Sequence, residues 1–145
     1  MGMLDLNTKY SIAQAVTSTG DTASINVYDA GSAESADIGL NDELWINVTC
    51  NTTATSGGAA TVQPGLQDSA DNSTFADALV GAVFPVGSVT QGVAPLQACP
   101  PLGLRRHTRI VFRVGLAALT AGKFGFFMSM DVQRNIARPS GFTAS

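Results

Sequence analysis

The sequence predicts an all-β fold, an antiparallel β-sandwich or jelly roll of six to eight short strands. Three observations lead there. Apolar residues recur with a period of two in several segments, and none sustains a 3.6-residue period. Clusters of Gly, Pro and small polar residues separate those segments. Residue usage also opposes helices. The 145 residues include 20 Ala, 15 Gly and 26 Ser plus Thr but only two Lys and two Glu, residues that usually build exposed helix faces.

The elements follow in chain order. Residues 1–22 read as an N-terminal arm, in which residues 10–16 hold at most one helical turn. In residues 24–29, Ile25 and Val27 alternate with Asn26 and Tyr28, a short strand. Leu44, Ile46, Val48 and Cys50 alternate with Glu43, Trp45, Asn47 and Thr49, a second strand, and Gly57-Gly58 marks a turn after it. Residues 60–67 form a strand broken by Pro64-Gly65, and a residue without an N–H predicts a sheet edge or a bulge there. Residues 68–77 read as a polar loop, residues 79–86 as an apolar strand, and residues 88–96 as room for another. Residues 99–103 look irregular. In residues 108–114, Ile110, Phe112 and Val114 share one face and Arg109, Val111 and Arg113 the other. Residues 115–123 read as a connection ending in a tight turn. In residues 124–132, Phe124, Phe126, Met128, Met130 and Val132 again share a face. The two last strands are expected to pair as an antiparallel hairpin. The domain division is then an arm at 1–22, a β-sandwich at 23–132 and a C-terminal tail at 133–145.

Length fits one domain, large enough for a core without staples. Only 13% of residues are charged, against roughly 25% in an average soluble chain. A free monomer keeps itself soluble with surface charge, so scarcity points to a surface shared with neighbours. The charge is also divided. Residues 1–104 carry ten acids and one base, Lys9, whereas residues 105–145 carry seven bases and one acid, Asp131. Such asymmetry marks either an interaction tail or two regions that neutralise each other across a sheet. No stretch is long and apolar enough for a bilayer helix. The first residues lack the pattern of a secretion signal, and Leu6 breaks a myristoylation motif. Cys50 and Cys99 are expected as free, buried thiols. The sequons at Asn47, Asn51 and Asn72 are expected to be coincidental in so Thr-rich a chain.

Catalytic patterns are weak. His107 is the single histidine and has no partner spacing for a metal or a triad. Asp68, Asp71 and Asp77 read as solvated turn residues, not as a glycosidase pair or a calcium loop. No enzyme activity, cofactor or metal is therefore expected. Arg105, Arg106, Arg109 and Arg113 form a basic cluster in an acidic chain, which favours protein contacts over nucleic acid.

Leu4-Asp5-Leu6-Asn7-Thr8, Ala13-Gln14-Ala15-Val16-Thr17 and Ser24-Ile25-Asn26-Val27-Tyr28-Asp29-Ala30-Gly31 resemble the opening of the capsid cement (decoration) proteins of tailed bacteriophages. Gln67-Asp68-Ser69-Ala70-Asp71-Asn72-Ser73-Thr74-Phe75, and Thr120-Ala121-Gly122-Lys123 before an alternating strand, extend the likeness over residues 4–134. The resemblance implies a jelly-roll-like sandwich with extended arms. It would sit on the outer surface of the virion capsid, oligomerise as a homo-dimer or homo-trimer, and clamp capsomers of the major capsid protein. It would be made in the host cytoplasm and bind neither nucleic acid nor membrane. The expected contact residues are Leu4, Leu6 and Tyr10 in the first arm, Arg134 and Arg138 in the last, and Arg109 and Arg113 on the sheet. Two alternatives stand beside it. One is a carbohydrate-binding β-sandwich module stacking sugars on Trp45 and Tyr28; the other is a head-completion or tail component of a virion.

Overall fold

The computed structural model of the chain describes residues 8–31 and 44–130. These hold ten strands: β1 (Lys9–Ala15), β2 (Gly20–Ala23), β3 (Tyr28–Asp29), β4 (Trp45–Ser56), β5 (Thr61–Ser69), β6 (Ala76–Val80), β7 (Phe84–Pro85), β8 (Leu96–Ala98), β9 (His107–Gly115) and β10 (Leu119–Ser129). One sheet has the order β1-β10-β4-β8, the other β2-β9-β5-β6. The short β3 continues the position of β2 beside β9, and β7 continues that of β6 beside β5. All pairings are antiparallel. The chain changes sheet after β1, β3, β4, β7, β8 and β9, which is the winding of an eight-position jelly roll.

The alternating segments supply the two inner faces. Ile110, Phe112 and Val114 of β9 and Val62 and Leu66 of β5 are buried from one sheet. Phe124, Phe126 and Met128 of β10, with Ile46, Val48 and Cys50 of β4, are buried from the other. Phe112 lies 4.1 Å from Phe124 and 6.1 Å from Phe126, centroid to centroid. Rings at these separations add attraction beyond the area they bury.

The expected hairpin of the last two strands is corrected by this packing. β9 and β10 stand in opposite sheets, and residues 116–118 carry the chain across the sandwich. Each strand has one apolar face, and facing them across the core buries both. β10 also starts earlier than expected. Residues 120–123 are strand rather than turn, with register shifts against β4 that accommodate Gly122 at φ +153°.

The N-terminal arm is corrected as well. From residue 8 it belongs to the sandwich, and the stretch expected to hold a helical turn is β1, paired with β10. Tyr10 and Val16 are core residues. The expected strand at 24–29 is broken instead, because residues 24–26 bridge the two sheets. The Ile110 N–H donates to Ser24 Oγ at 3.2 Å, while the Asn26 N–H donates to the Tyr10 carbonyl at 2.8 Å. Gln14 Nε2 adds a bond to the Ala23 carbonyl at 2.9 Å. One open side of the sandwich is thereby closed by hydrogen bonds. Residues 1–7 of the first arm, residues 131–132 of the expected sandwich and the whole tail at 133–145 fall outside the described residues.

Pro64 lies at neither an edge nor a bulge but in β5, between β9 and the β6/β7 position. It is tolerated because its nitrogen faces the interruption between β6 and β7. On that side the Gly81 N–H donates to the Pro64 carbonyl at 2.8 Å, and Gln63 Nε2 donates to the Gly81 carbonyl at 2.9 Å. The missing N–H therefore breaks no ladder bond. The polar loop shrinks to residues 70–75, since β5 runs to Ser69 and β6 begins at Ala76. The strand expected within 79–86 divides into the end of β6 and β7, while the strand expected at 88–96 is corrected: residues 86–88 form a 3-10 turn, 89–95 are loop, and β8 begins only at Leu96.

Two substitutions test this packing. Phe112→Ala removes the ring between the sheets and is expected to cost about 3–5 kcal/mol of unfolding free energy in urea titration. Gly81→Ala places a Cβ 2.6 Å from the Pro64 carbonyl oxygen. It is expected to cost about 1–3 kcal/mol; an unchanged midpoint would refute the proline account.

Candidate functional site

The outer face of the β2-β9-β5-β6 sheet concentrates the charged side chains. The period of β9 puts Arg109 and Arg113 on that face with Val111 between them. Register places Asp21 of β2 opposite Arg113, and Gln67 of β5 opposite both Arg109 and Asp77 of β6. Arg113 Nε lies 3.2 Å from Asp21 Oδ1, and its Nη2 lies 2.5 Å from Asp77 Oδ1. Gln67 donates through Nε2 to Asp77 Oδ1 at 3.0 Å and accepts at Oε1 from Arg109 Nε at 2.9 Å. The Arg109 guanidinium also lies 3.9 Å over the Phe75 ring, a cation–π contact.

At the end of the sheet the pattern repeats. Arg105 grips Asp68 through its backbone N–H at 2.9 Å, Nε at 3.0 Å and Nη2 at 2.6 Å, and Nη2 also reaches the Asp68 carbonyl at 2.8 Å. Arg106 holds Asp29 in a two-point fork at 2.7 and 2.8 Å. His107 Nδ1 stands 3.9 Å from Asp29 Oδ1. The basic end and the acidic body of the sequence therefore neutralise each other across one sheet.

These contacts set the protonation of the acids. The Arg106 fork, then the Gly31 N–H, holds Asp29 well below the usual carboxylate range. The Arg105 side chain does the same for Asp68, and Arg113 followed by Gln67 for Asp77. Asp71 is lowered to about 2 by the N–H groups of Thr74 and Ser73 and by the Ser69 hydroxyl. The reading of Asp68 and Asp77 as solvated turn residues is thus corrected. Asp68 is a buried strand residue, and Asp77 is the shared acceptor of Arg113 and Gln67. Asp71 does organise a turn, in which Asn72 takes φ +57°.

The expected contact residues fare differently. Tyr10 is a core side chain, 2% exposed, whose hydroxyl bonds Thr108 Oγ1 at 2.8 Å. Burial pushes its phenol up, and a covered ring cannot meet a neighbouring subunit. Arg109 and Arg113 are brought together on one face but are engaged inside the chain. Leu4, Leu6, Arg134 and Arg138 lie outside the described residues. Trp45 and Tyr28 are half-buried in opposite sheets, and Tyr28 packs against the core. Cys50 is a buried, free thiol, whereas Cys99 is half-buried rather than buried as expected. Asn47 is wholly buried, donating to Ser129 Oγ at 2.8 Å, so its sequon is closed to modification in the folded chain. Among the described residues no group of three His, Cys, Asp or Glu side chains could hold a metal.

The outer face of the other sheet has a hollow of about 150 Å3 lined by Lys9, Ser11, Ile12, Thr49, Asn51 and Phe127. It lies beside the irregularities of β1, where Ala13 sits at φ +47° within the register shift between Ser11 and Gln14.

Geometry and winding define a jelly-roll β-sandwich with an internally paired arginine face. A family comparison narrows this class. The chain belongs to the Bbp16 family, whose model matches residues 10–128, and is in this sense a phage-related protein. The match begins inside β1 and ends inside β10, so it covers all of the sandwich but the outermost residues of these two strands. No curated protein matches the chain.

The ion pairs predict an acid limit to stability. Asp29, Asp68, Asp71 and Asp77 bind their protons more weakly folded than unfolded. Their contribution is complete above the ordinary carboxyl value of 3.8 and is lost as pH falls through the lower folded values. Unfolding midpoints in urea are expected to be level from pH 7 to 5 and to fall below about pH 4. Asp68→Asn is expected to lower the neutral-pH midpoint and flatten that fall; an unchanged acid slope would contradict it.

Proposed function

We propose that the protein is a structural component of a phage virion that binds the outside of the icosahedral capsid and stabilises contacts between neighbouring major-capsid-protein capsomers. The observation that carries this reading is the jelly-roll winding in a chain of a phage-related family. A two-sheet roll is rigid and edge-managed, and viral coat proteins use it repeatedly. The resemblance of the segments at 4–31, 67–75 and 120–123 to capsid cement proteins supports the same reading. In it the chain acts by burying surface in many repeated copies rather than by chemistry, and it works as a homo-oligomer, dimer or trimer, on the particle surface.

Internal pairing of Arg109 and Arg113 shifts the expected adhesive surface away from them. These arginines brace the sheet, and the capsid contact falls to other surfaces. The carbohydrate-module reading gains no support from Trp45 and Tyr28, which belong to opposite sheets. A head-completion or tail component differs from cement only in where the copies sit.

The experiment is reconstitution. Particles lacking the protein are mixed with purified chain and imaged by electron cryomicroscopy. Density at every symmetry-equivalent capsomer junction, together with a higher temperature of genome release, is expected. Density in a ring at one vertex would instead establish a head-completion part, and no bound density would sink both. Removing residues 1–7 leaves β1 whole, so it tests the arm without breaking the sheet. Reduced occupancy at unchanged unfolding midpoint is expected.

A further inference from the structure

The sandwich has two unlike ends. At one end lie the connections β1–β2 (residues 16–19), β4–β5 (57–60), β7–β8 (86–95) and β9–β10 (116–118). None of these residues is charged. The other end carries Asp29, Asp68, Asp71, Arg105 and Arg106. Both ends come from one chain, so the segregation is spatial and crosses the sequence four times.

The uncharged end is a single built surface. The Leu119 N–H donates to the Thr17 carbonyl at 2.9 Å, and the Val86 N–H to the Ala60 carbonyl at 3.0 Å. Ser56 Oγ donates to the Ala118 carbonyl at 2.7 Å, and the Gln91 N–H to Thr53 Oγ1 at 2.9 Å. A Cβ on Gly58 would stand 3.1 Å from the Ala117 Cβ, and one on Gly115 would stand 2.8 Å from Thr61 Oγ1. Four loops are therefore tied to one another.

Leu116 stands on this surface, 82% exposed and at φ +66°. Both properties disfavour leucine. A left-handed turn suits Gly or Asn, and water disfavours an isolated isobutyl group. Strain joined to exposure on a braced loop is the mark of a side chain kept for contact. Interface centres are depleted in charged residues, while charge keeps the remaining surface in solvent.

We infer that the uncharged end is the surface by which the protein docks on the capsid shell, with Leu116 as its anchor. This rests on the cement reading. The occupant is an uncharged patch of the shell with an apolar recess for Leu116 and hydrogen-bonding groups for the surrounding Thr, Ser and Gly residues. Strand and sheet spacings give the end an area on the order of 500 Å2. Two free copies meeting through it would bury on the order of 1,000 Å2, short of the about 1,200 Å2 at which stable pairs begin. A fixed shell presenting the site in many copies suits a patch of that size. The charged end then faces solvent.

The test compares wild type, Leu116→Asn, Leu116→Glu and, at the opposite end, Asn72→Asp in binding to particles lacking the protein. Unfolding midpoints and solution mass are measured alongside. Asn relieves the left-handed strain, so Leu116→Asn is expected to unfold at the same or a higher temperature yet bind particles at least tenfold more weakly. Leu116→Glu is expected to bind more weakly still, and Asn72→Asp like wild type. Wild-type affinity in both Leu116 variants overturns the assignment and leaves the cement reading standing. Absence of binding by wild type overturns that reading and this assignment with it. A change in solution mass with unchanged particle affinity would assign the end to a contact between copies and overturn the proposal.

Discussion

The ring of Phe112 in one sheet packs, tilted, with its centroid 4.1 Å from that of Phe124 in the other, and the rest of the molecule is arranged around keeping those two faces together. Both strands carry an unbroken apolar face. Placed side by side in one sheet they would still need a second layer; placed opposite one another they are that layer. This requirement sends the chain from sheet to sheet and makes a jelly roll of what the local pattern alone reads as a hairpin. It also explains the loops. Every sheet change needs a connection across the roll, and the four at one end are tied to each other by hydrogen bonds.

The second organising interaction is the pairing of arginine and aspartate on the outer face of β9. Individually such exposed pairs contribute little. Together they fix which strands neighbour β9, because Asp21 from one flank and Asp77 from beyond the other meet the same guanidinium. With those charges matched internally, a chain already poor in charge has little left for partners. Adhesion then falls to uncharged surface. A structural protein bound in many copies can use such surface, since repeated placement supplies what a single modest contact lacks.

Corrections to the sequence-based picture share a cause. Pro64 in the middle of a sheet, Tyr10 in the core and Ser24 in place of a ladder carbonyl are each decided by what the rest of the chain puts beside them. Gly81 supplies a partner on the side where proline lacks a donor. Thr108 supplies a buried hydrogen-bond partner for the Tyr10 hydroxyl. Residues 24–26 leave the strand because β1 offers its carbonyls and the Ser11 hydroxyl across the gap.

The sequence by itself determined the fold class, the period-two apolar faces of β4, β9 and β10, the irregular 99–103 segment and the division of charge. All of these depend on neighbours within a few residues, where alternation and turn chemistry act directly. Only the tertiary structure decided that β9 and β10 oppose rather than pair, that Arg113 of β9 answers aspartates 36 and 92 residues away, and that four uncharged loops form one end. The physical reason is that a strand's pattern fixes which face is buried but not what is buried against it. That choice belongs to the packing of the whole chain.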